Sequence, residues 1–231
     1  MSSAIAVVSG WTGAATGAAL PLVAGAALGC GDINAPIRPA PYEWRFFVAD
    51  GNGGRDTLAF AWPTSLGPMK IYAADTLDFP ARTARSISQW KAQFLYGEFD
   101  AELVSDSNAA DVIVRADPAP AAGPIVPLRL DRRARECEGA TDLAVSADGR
   151  SILLPMRIYV EPVVAESAAL QSCLDLTITH EIGHALGIFE HSSDADDIMF
   201  ADPSVTAPSE RDRITAERAY HSRTTLTVVG R

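Results

Sequence analysis

The stretch Thr179–Phe200, THEIGHALGIFEHSSDADDIMF, gathers three of the four histidines in the 231-residue chain: His180, His184 and His191. His180 and His184 are four residues apart. A helix turns about 100° per residue, so this spacing puts both imidazoles on one face. Two such rings can bind one zinc ion together, because neutral imidazole nitrogen is a good zinc donor. Glu181 follows His180 and is rotated by one residue, beside the metal rather than on it. A carboxylate there is placed to take a proton from a metal-activated water and to return it to a leaving amine. The pattern therefore carries the parts needed to hydrolyse a peptide or amide bond.

Two protein ligands are too few, since catalytic zinc usually has three and an open position. The helix must end so that the chain can come back to the metal. Gly187 suits that stop, because glycine tolerates the left-handed conformation that ends a helix. Two residues beyond it are candidates for the third ligand, the carboxylate of Glu190 and the imidazole of His191.

With these residues in hand, the stretch resembles the metzincin clan of zinc metalloproteases, and within it the matrixin-like enzymes. Their pattern is H-E-x-x-H-x-x-G-x-x-H followed by a Met-turn. His180, Glu181, His184 and Gly187 match it residue by residue, whereas Glu190 stands at the strict third-ligand position and His191 comes one later. Ser192 follows His191, and Met199 lies eight residues beyond it, as the matrixin-like pattern has it. That spacing favours His191, with Glu190 as the alternative. The resemblance implies a metal set of His180, His184 and His191, Glu181 as general base, one catalytic zinc ion, and Met199 packed beneath the metal. Ala201 replaces the tyrosine that astacin-like relatives carry two residues after the Met. His221, the fourth histidine, is expected at the surface or in packing.

The implied activity is a zinc-dependent endopeptidase whose partner is a protein or peptide substrate bound as an extended strand. Ser151–Val160 precedes the motif where the family has its substrate-binding edge strand. The loop after Met199, through Pro203 to Pro208, would shape the pocket beyond the scissile bond. Two rivals remain. Deformylase-type amide hydrolases also carry H-E-x-x-H, with a cysteine ligand that Cys137 or Cys173 could supply. A non-catalytic, zinc-binding envelope lipoprotein would hold the metal for structure alone.

The elements that must position these residues read as α+β. Trp44–Val48 and Thr57–Trp62 form a hairpin, and Lys70–Ala73, Phe99–Val104 and Ala110–Val114 are strand-like. Pro80–Tyr96 has helical spacing with Ala84, Ile87, Trp90, Phe94 and Leu95 on one face. Pro118–Pro127 is loop, and Asp131–Arg150 is polar with a turn at Asp148-Gly149. Ser151–Val160 is strongly strand-like, but Pro155 lacks a ladder donor and puts it at a sheet edge or a bulge. From Glu166 onward the pattern becomes helical, with Leu170, Leu174, Ile178, Ile182 and Ala185 on one side and the histidines on another. Ser209 is positioned to cap a last helix with Asp212 at its third position, and Thr224–Val229 ends the chain as a short strand. Together with the resemblance, this order implies a metzincin-like domain: a small twisted mixed sheet, an active-site helix and a C-terminal helix.

Residues 1–37 contain no Lys or Arg and are mostly small and apolar from Ala4 to Cys30. Residues 1–30 read as a signal or lipoprotein leader, 31–41 as a Pro-containing linker, and 42–231 as the catalytic domain. Ala27-Leu-Gly-Cys30 resembles a lipobox, so any membrane contact is expected only through this leader or a lipid on Cys30, and the protein is expected to be exported to the cell envelope or beyond. Cys137 and Cys173 are then an even pair suited to a disulfide in an oxidising compartment. A net charge of −10 without a basic stripe argues against nucleic acid as a partner. Asp50-Gly-Asn-Gly-Gly54 superficially resembles a calcium loop, but its acidic spacing is incomplete. It reads as a turn, and a structural calcium ion is left without support.

Overall fold

Helix α2 (Ala168–Ala185) lies at the centre of the fold, and its two ends have local causes. Ser167 caps the start, its hydroxyl accepting from the Leu170 amide at 3.1 Å. At the other end Gly187 has φ +110°, and a Cβ there would lie 2.2 Å from the Phe60 carbonyl oxygen. Backbone angle and close approach both demand glycine, as the motif predicts. The apolar and histidine sides do not separate into buried and open faces. Every residue from Leu176 to Phe189 is buried, because different elements cover different sides of the helix.

The computed structural model describes residues 39–49, 53–121 and 128–229. The expected leader, Cys30, most of the linker, most of the Asp50–Gly54 turn and the second half of the Pro118–Pro127 loop lie outside these residues. The described residues form an α+β fold with three α-helices and a mixed sheet. No helix among them is long and apolar enough to cross a membrane.

A two-stranded hairpin comes first, β1 (Phe46–Ala49) antiparallel to β2 (Arg55–Leu58). The main sheet runs β4 (Ala101–Val104), β3 (Met69–Ala73), β5 (Val112–Arg115), β8 (Ser151–Pro162), β7 (Cys137–Val145), β6 (Leu128–Arg133), with β9 (Thr227–Val229) also pairing β8. The β4–β3–β5–β8 part is parallel, whereas β8–β7 and β7–β6 are antiparallel. Helix α1 (Phe79–Lys91) makes the crossover from β3 to β4. Its buried stripe is Phe79, Thr83, Ser86, Ile87 and Trp90. The expected Ala84 and Leu95 are exposed, and the helix stops at Lys91, five residues before the end assigned to Tyr96. Trp90, fully buried, donates its indole N–H to the Thr179 carbonyl at 2.8 Å and so ties α1 to α2.

One expectation needs correction, and one polar segment proves to be strand. Asp131–Arg150, read as polar, supplies β7 and part of β6, which form an antiparallel hairpin. Ser151–Val160 is an interior strand, not an edge. It pairs with β7 on one side and with β5 and β9 on the other. Pro155 is tolerated because the β7 register jumps from Asp142↔Arg157 to Ala144↔Leu153, and the strand bulges there. The sheet edge beyond β7 is β6, which among the described residues pairs only with β7.

Helix α3 (Glu210–Tyr220) starts with the expected capping box. Ser209 Oγ accepts from the Asp212 amide, and Asp212 accepts from the Ser209 amide.

Candidate metal centre

The ring nitrogens of His180, His184 and His191 converge until their ligand atoms all lie within 4.8 Å of one another. His180 and His184 come from successive turns of α2. His191 comes from the segment released by Gly187, which is held in place by the N-terminal strap: the Trp44 carbonyl accepts from the Phe189 and Glu190 amides at 2.7 and 3.3 Å. His180 and His184 are fully buried, and His191 is half-buried.

Backbone carbonyls decide which nitrogen of each helical histidine faces inward. His180 Nδ1 donates to the Ile198 carbonyl at 2.7 Å, and His184 Nδ1 donates to the Ile188 carbonyl at 2.6 Å. Both protons are thus held on Nδ1, leaving Nε2 as a lone-pair donor. His180 Nε2 and His191 Nε2 are 3.3 Å apart. Two nitrogens on a tetrahedral zinc, each at about 2.0–2.1 Å from it, are separated by about 3.3 Å. His184 Nε2 is buried with no hydrogen-bond partner. A buried polar atom is almost always satisfied, and an ion at this point satisfies three at once. These three histidines could therefore hold a metal ion.

Burial and the neighbouring rings also keep the donors neutral. Burial, with His184 and His191 nearby, holds His180 well below the ordinary imidazole range. Burial and His191 push His184 down to about 3. Glu190 does not join the cluster. Burial and the nearby Glu43 carboxylate push its own carboxyl up instead.

Glu181 is fully buried. Its Oε2 accepts from Thr141 Oγ1 at 2.7 Å, and the same hydroxyl also donates to the Glu181 backbone carbonyl at 3.1 Å. Oε1 is buried without a partner. Burial pushes this carboxyl up to about 8, against the opposing pull of Thr141 and Arg132. A bound cation nearby reverses such a push by favouring the carboxylate. Gly139 of β7 lies so close that a Cβ there would be 2.4 Å from Glu181 Oε1 and 2.4 Å from Thr177 Cγ2. The sheet thus comes down on the helix at a glycine, and the neighbouring threonine holds the carboxylate.

The loop from His191 to Met199 is closed by Ser192, whose amide donates to the Met199 carbonyl at 2.8 Å. Met199 is fully buried, and its Sδ lies 2.3 Å from where a Cβ on Gly183 would be. It packs directly on α2 at Gly183. Asp212 organises the same loop from α3. Its carboxylate accepts from the Ile198 amide at 2.7 Å and from the Tyr42 hydroxyl at 2.6 Å. The Ile198–Met199 peptide unit, whose carbonyl orients His180, is held at its own amide too, Met199 N–H donating to Asp212 Oδ1 at 3.4 Å.

Cys137 and Cys173 form a disulfide that joins β7 to α2. Neither is free to be a metal ligand, which removes the deformylase-type arrangement. His221 is at the surface, 3.1 Å from Glu98. Arg132, Gly139, Thr141 and Asp212 were not singled out as site residues. The signal available for Gly139 and Thr141 was the alternation of Cys137, Gly139, Thr141 and Leu143 with Glu138, Ala140 and Asp142, which marks a strand; in the fold all four of the first set are buried.

No protein-family model and no curated protein matches this chain.

Proposed function

We infer that the protein is a zinc-dependent endopeptidase of metzincin, matrixin-like type. The observation that carries this reading is the convergence of three neutral imidazole donors on one point with a buried carboxylate one residue away on the same helix. An all-nitrogen set of three matches catalytic zinc better than calcium or magnesium, which take oxygen ligands. The order of a mixed sheet, an active-site helix, a methionine loop and a C-terminal helix supports the metzincin-like fold.

Zinc, when bound, supplies Lewis acidity and brings the pKa of water close to neutrality. The chain's own residues do the rest. His180, His184 and His191 hold the ion, and the Ile198 and Ile188 carbonyls fix two of the rings. Glu181 accepts the proton of the attacking water on its unpartnered Oε1 and delivers it to the leaving nitrogen. Thr141 keeps Oε2 occupied, so the proton moves on a carboxylate whose orientation is set. Burial of Glu181 excludes bulk water from that transfer.

The substrate is a peptide in extended form. With Ser151–Pro162 interior, β6 is the open edge among the described residues on the side of Glu181, and β-addition there supplies main-chain hydrogen bonds whatever the side chains. The disulfide supports an oxidising, exported location. Glu181→Ala should retain one zinc per chain and lose nearly all cleavage of a casein or peptide-library substrate. Zinc-loaded Glu181→Ala with wild-type turnover would overturn the reading.

A further inference from the structure

Arg132 is an unusual residue to find beneath a sheet edge. It is only 2% exposed, although it belongs to the outermost strand, β6. Nη1 donates to Thr177 Oγ1 at 2.6 Å. Nη2 reaches Asp202 Oδ1 at 3.3 Å, and Asp202, in the loop after Met199, keeps 69% of its side chain exposed. Nε is buried and has no acceptor. A guanidinium has five N–H donors. Burying one is costly unless a counter-charge completes it, and a single long contact to a solvated carboxylate is a weak completion.

The position of this cation matters. Thr177 and Glu181 are four apart on α2, and Gly139 touches both. Arg132 is the register partner of Gly139. The anchor of the guanidinium is thus about one helical turn, about 6 Å along the axis, from the residue that handles the proton. Its charge is felt at both Glu181 and His191. The guanidinium itself is covered, and the exposed Asp202 carboxylate marks the one contact through which a group arriving from solvent would replace a partner.

We propose that Arg132 is a specificity-determining residue that takes a carboxylate of the substrate, and that Asp202 is the internal stand-in this carboxylate displaces. The inference rests on the peptidase reading. The planar fork of arginine matches a carboxylate through paired N–H donors. Two sources offer that group: an Asp or Glu side chain within two residues of the cut, or the free C terminus of a short peptide. The unpartnered Nε and the loosely held Nη2 supply the two donors.

Two N-acetylated random peptide libraries, one amidated and one with free C termini, should be digested by zinc-loaded wild type, Arg132→Gln and Asp202→Ala. In parallel, calorimetry should compare Glu- and Gln-containing versions of one capped, amidated hexapeptide, and the Gln version with a free C terminus, binding to zinc-loaded Glu181→Ala. Wild type should favour a carboxylate at one subsite by roughly tenfold or more, the scale of a buried charge pair. Arg132→Gln should lose that preference, and Asp202→Ala should increase the Glu-to-Gln ratio several-fold. Enrichment in the amidated library assigns the side chain; enrichment confined to free C termini assigns the chain end. Equal cleavage and equal binding of all peptides would overturn the proposal, as would a folded Arg132→Gln that keeps the preference. Should Arg132→Gln fail to fold, the Asp202→Ala ratio decides: an unchanged ratio refutes the displacement. Selective binding of the carboxylate peptide with no cleavage by wild type would remove the peptidase reading and leave the carboxylate site standing.

Discussion

Gly139→Ala tests the site at its tightest point. An added Cβ would stand 2.4 Å from Glu181 Oε1 and 2.4 Å from Thr177 Cγ2. A carbon and an oxygen out of bonding contact need about 3.3 Å or more, on the scale of optimal heavy-atom separations. The Glu181 carboxylate must therefore retreat by about 1 Å, and the 2.7 Å bond from Thr141 cannot follow it intact. Thr177 is stiff at χ1, so the longer glutamate moves more. Misplacing a reacting group by about 1 Å costs on the order of 100-fold in rate, whereas overpacking by one methyl costs about 1–3 kcal/mol in stability. The expected signature is thus a selective one. Zinc content stays at wild-type level, because none of the three histidines is touched. The thermal midpoint falls by several degrees, and kcat/KM for a fluorogenic peptide falls about 100-fold. Gly139→Ala with undiminished kcat/KM would refute the inferred role of the β7 approach. Loss of zinc in parallel with activity would show that the glycine supports the fold and not the carboxylate.

Three further outcomes are expected. His191→Ala should lower zinc affinity at least tenfold by equilibrium dialysis while Glu190→Ala leaves it within twofold, since removing even an outer-shell partner costs about 10–100-fold; the reverse result would reassign the third ligand. Reducing Cys137–Cys173, which closes a loop of 36 residues in sequence separation, should cost about 4 kcal/mol in a urea melt on the chain-entropy scale, and an unchanged midpoint would count against it. Burial tends to raise the Asp197 carboxyl, but hydrogen bonds from Arg211, Ser192 and Ser209 outweigh it and hold it below the ordinary range. Its folded pKa thus lies below the unfolded value of about 3.9. This contribution is complete above that value and is lost as pH falls through the folded one. Arg211→Met should then destabilise by about 3 kcal/mol at pH 7, with the deficit shrinking below about pH 4; a deficit constant down to pH 2 would refute the pairing as its cause.

Much of the candidate site was legible because its causes are local. Four-residue spacing puts His180 and His184 on one face of any helix. Gly187 ends that helix because glycine readily adopts φ +110°, where a side chain is strained. Ser209 and Asp212 cap α3 through atoms three residues apart. The even cysteine pair was a matter of counting, and its closure needed only the two sulfurs to meet.

What tertiary structure alone decided depends on partners distant in sequence. Whether Ser151–Pro162 was an edge or an interior strand turned on two neighbours, β5 and β7, and on a register jump that hides Pro155. Period-two patterns are alike in both cases, so the hairpin β6–β7, with its charged residues, gave no hint that it would form the outer wall. Gly139 and Thr141 matter to Glu181 across about 40 residues of chain, and Asp212 reaches His180 through the Ile198 peptide. The spacing to Met199 already favoured His191 over Glu190, and the fold brings His191 to the other two rings while the Trp44 carbonyl holds the amides of Phe189 and Glu190. The sequence by itself determined which side chains could bind a metal and handle a proton. The packing of sheet, strap and C-terminal helix on α2 determined which of their atoms point at one another, because orientation is set by contacts that no local spacing encodes.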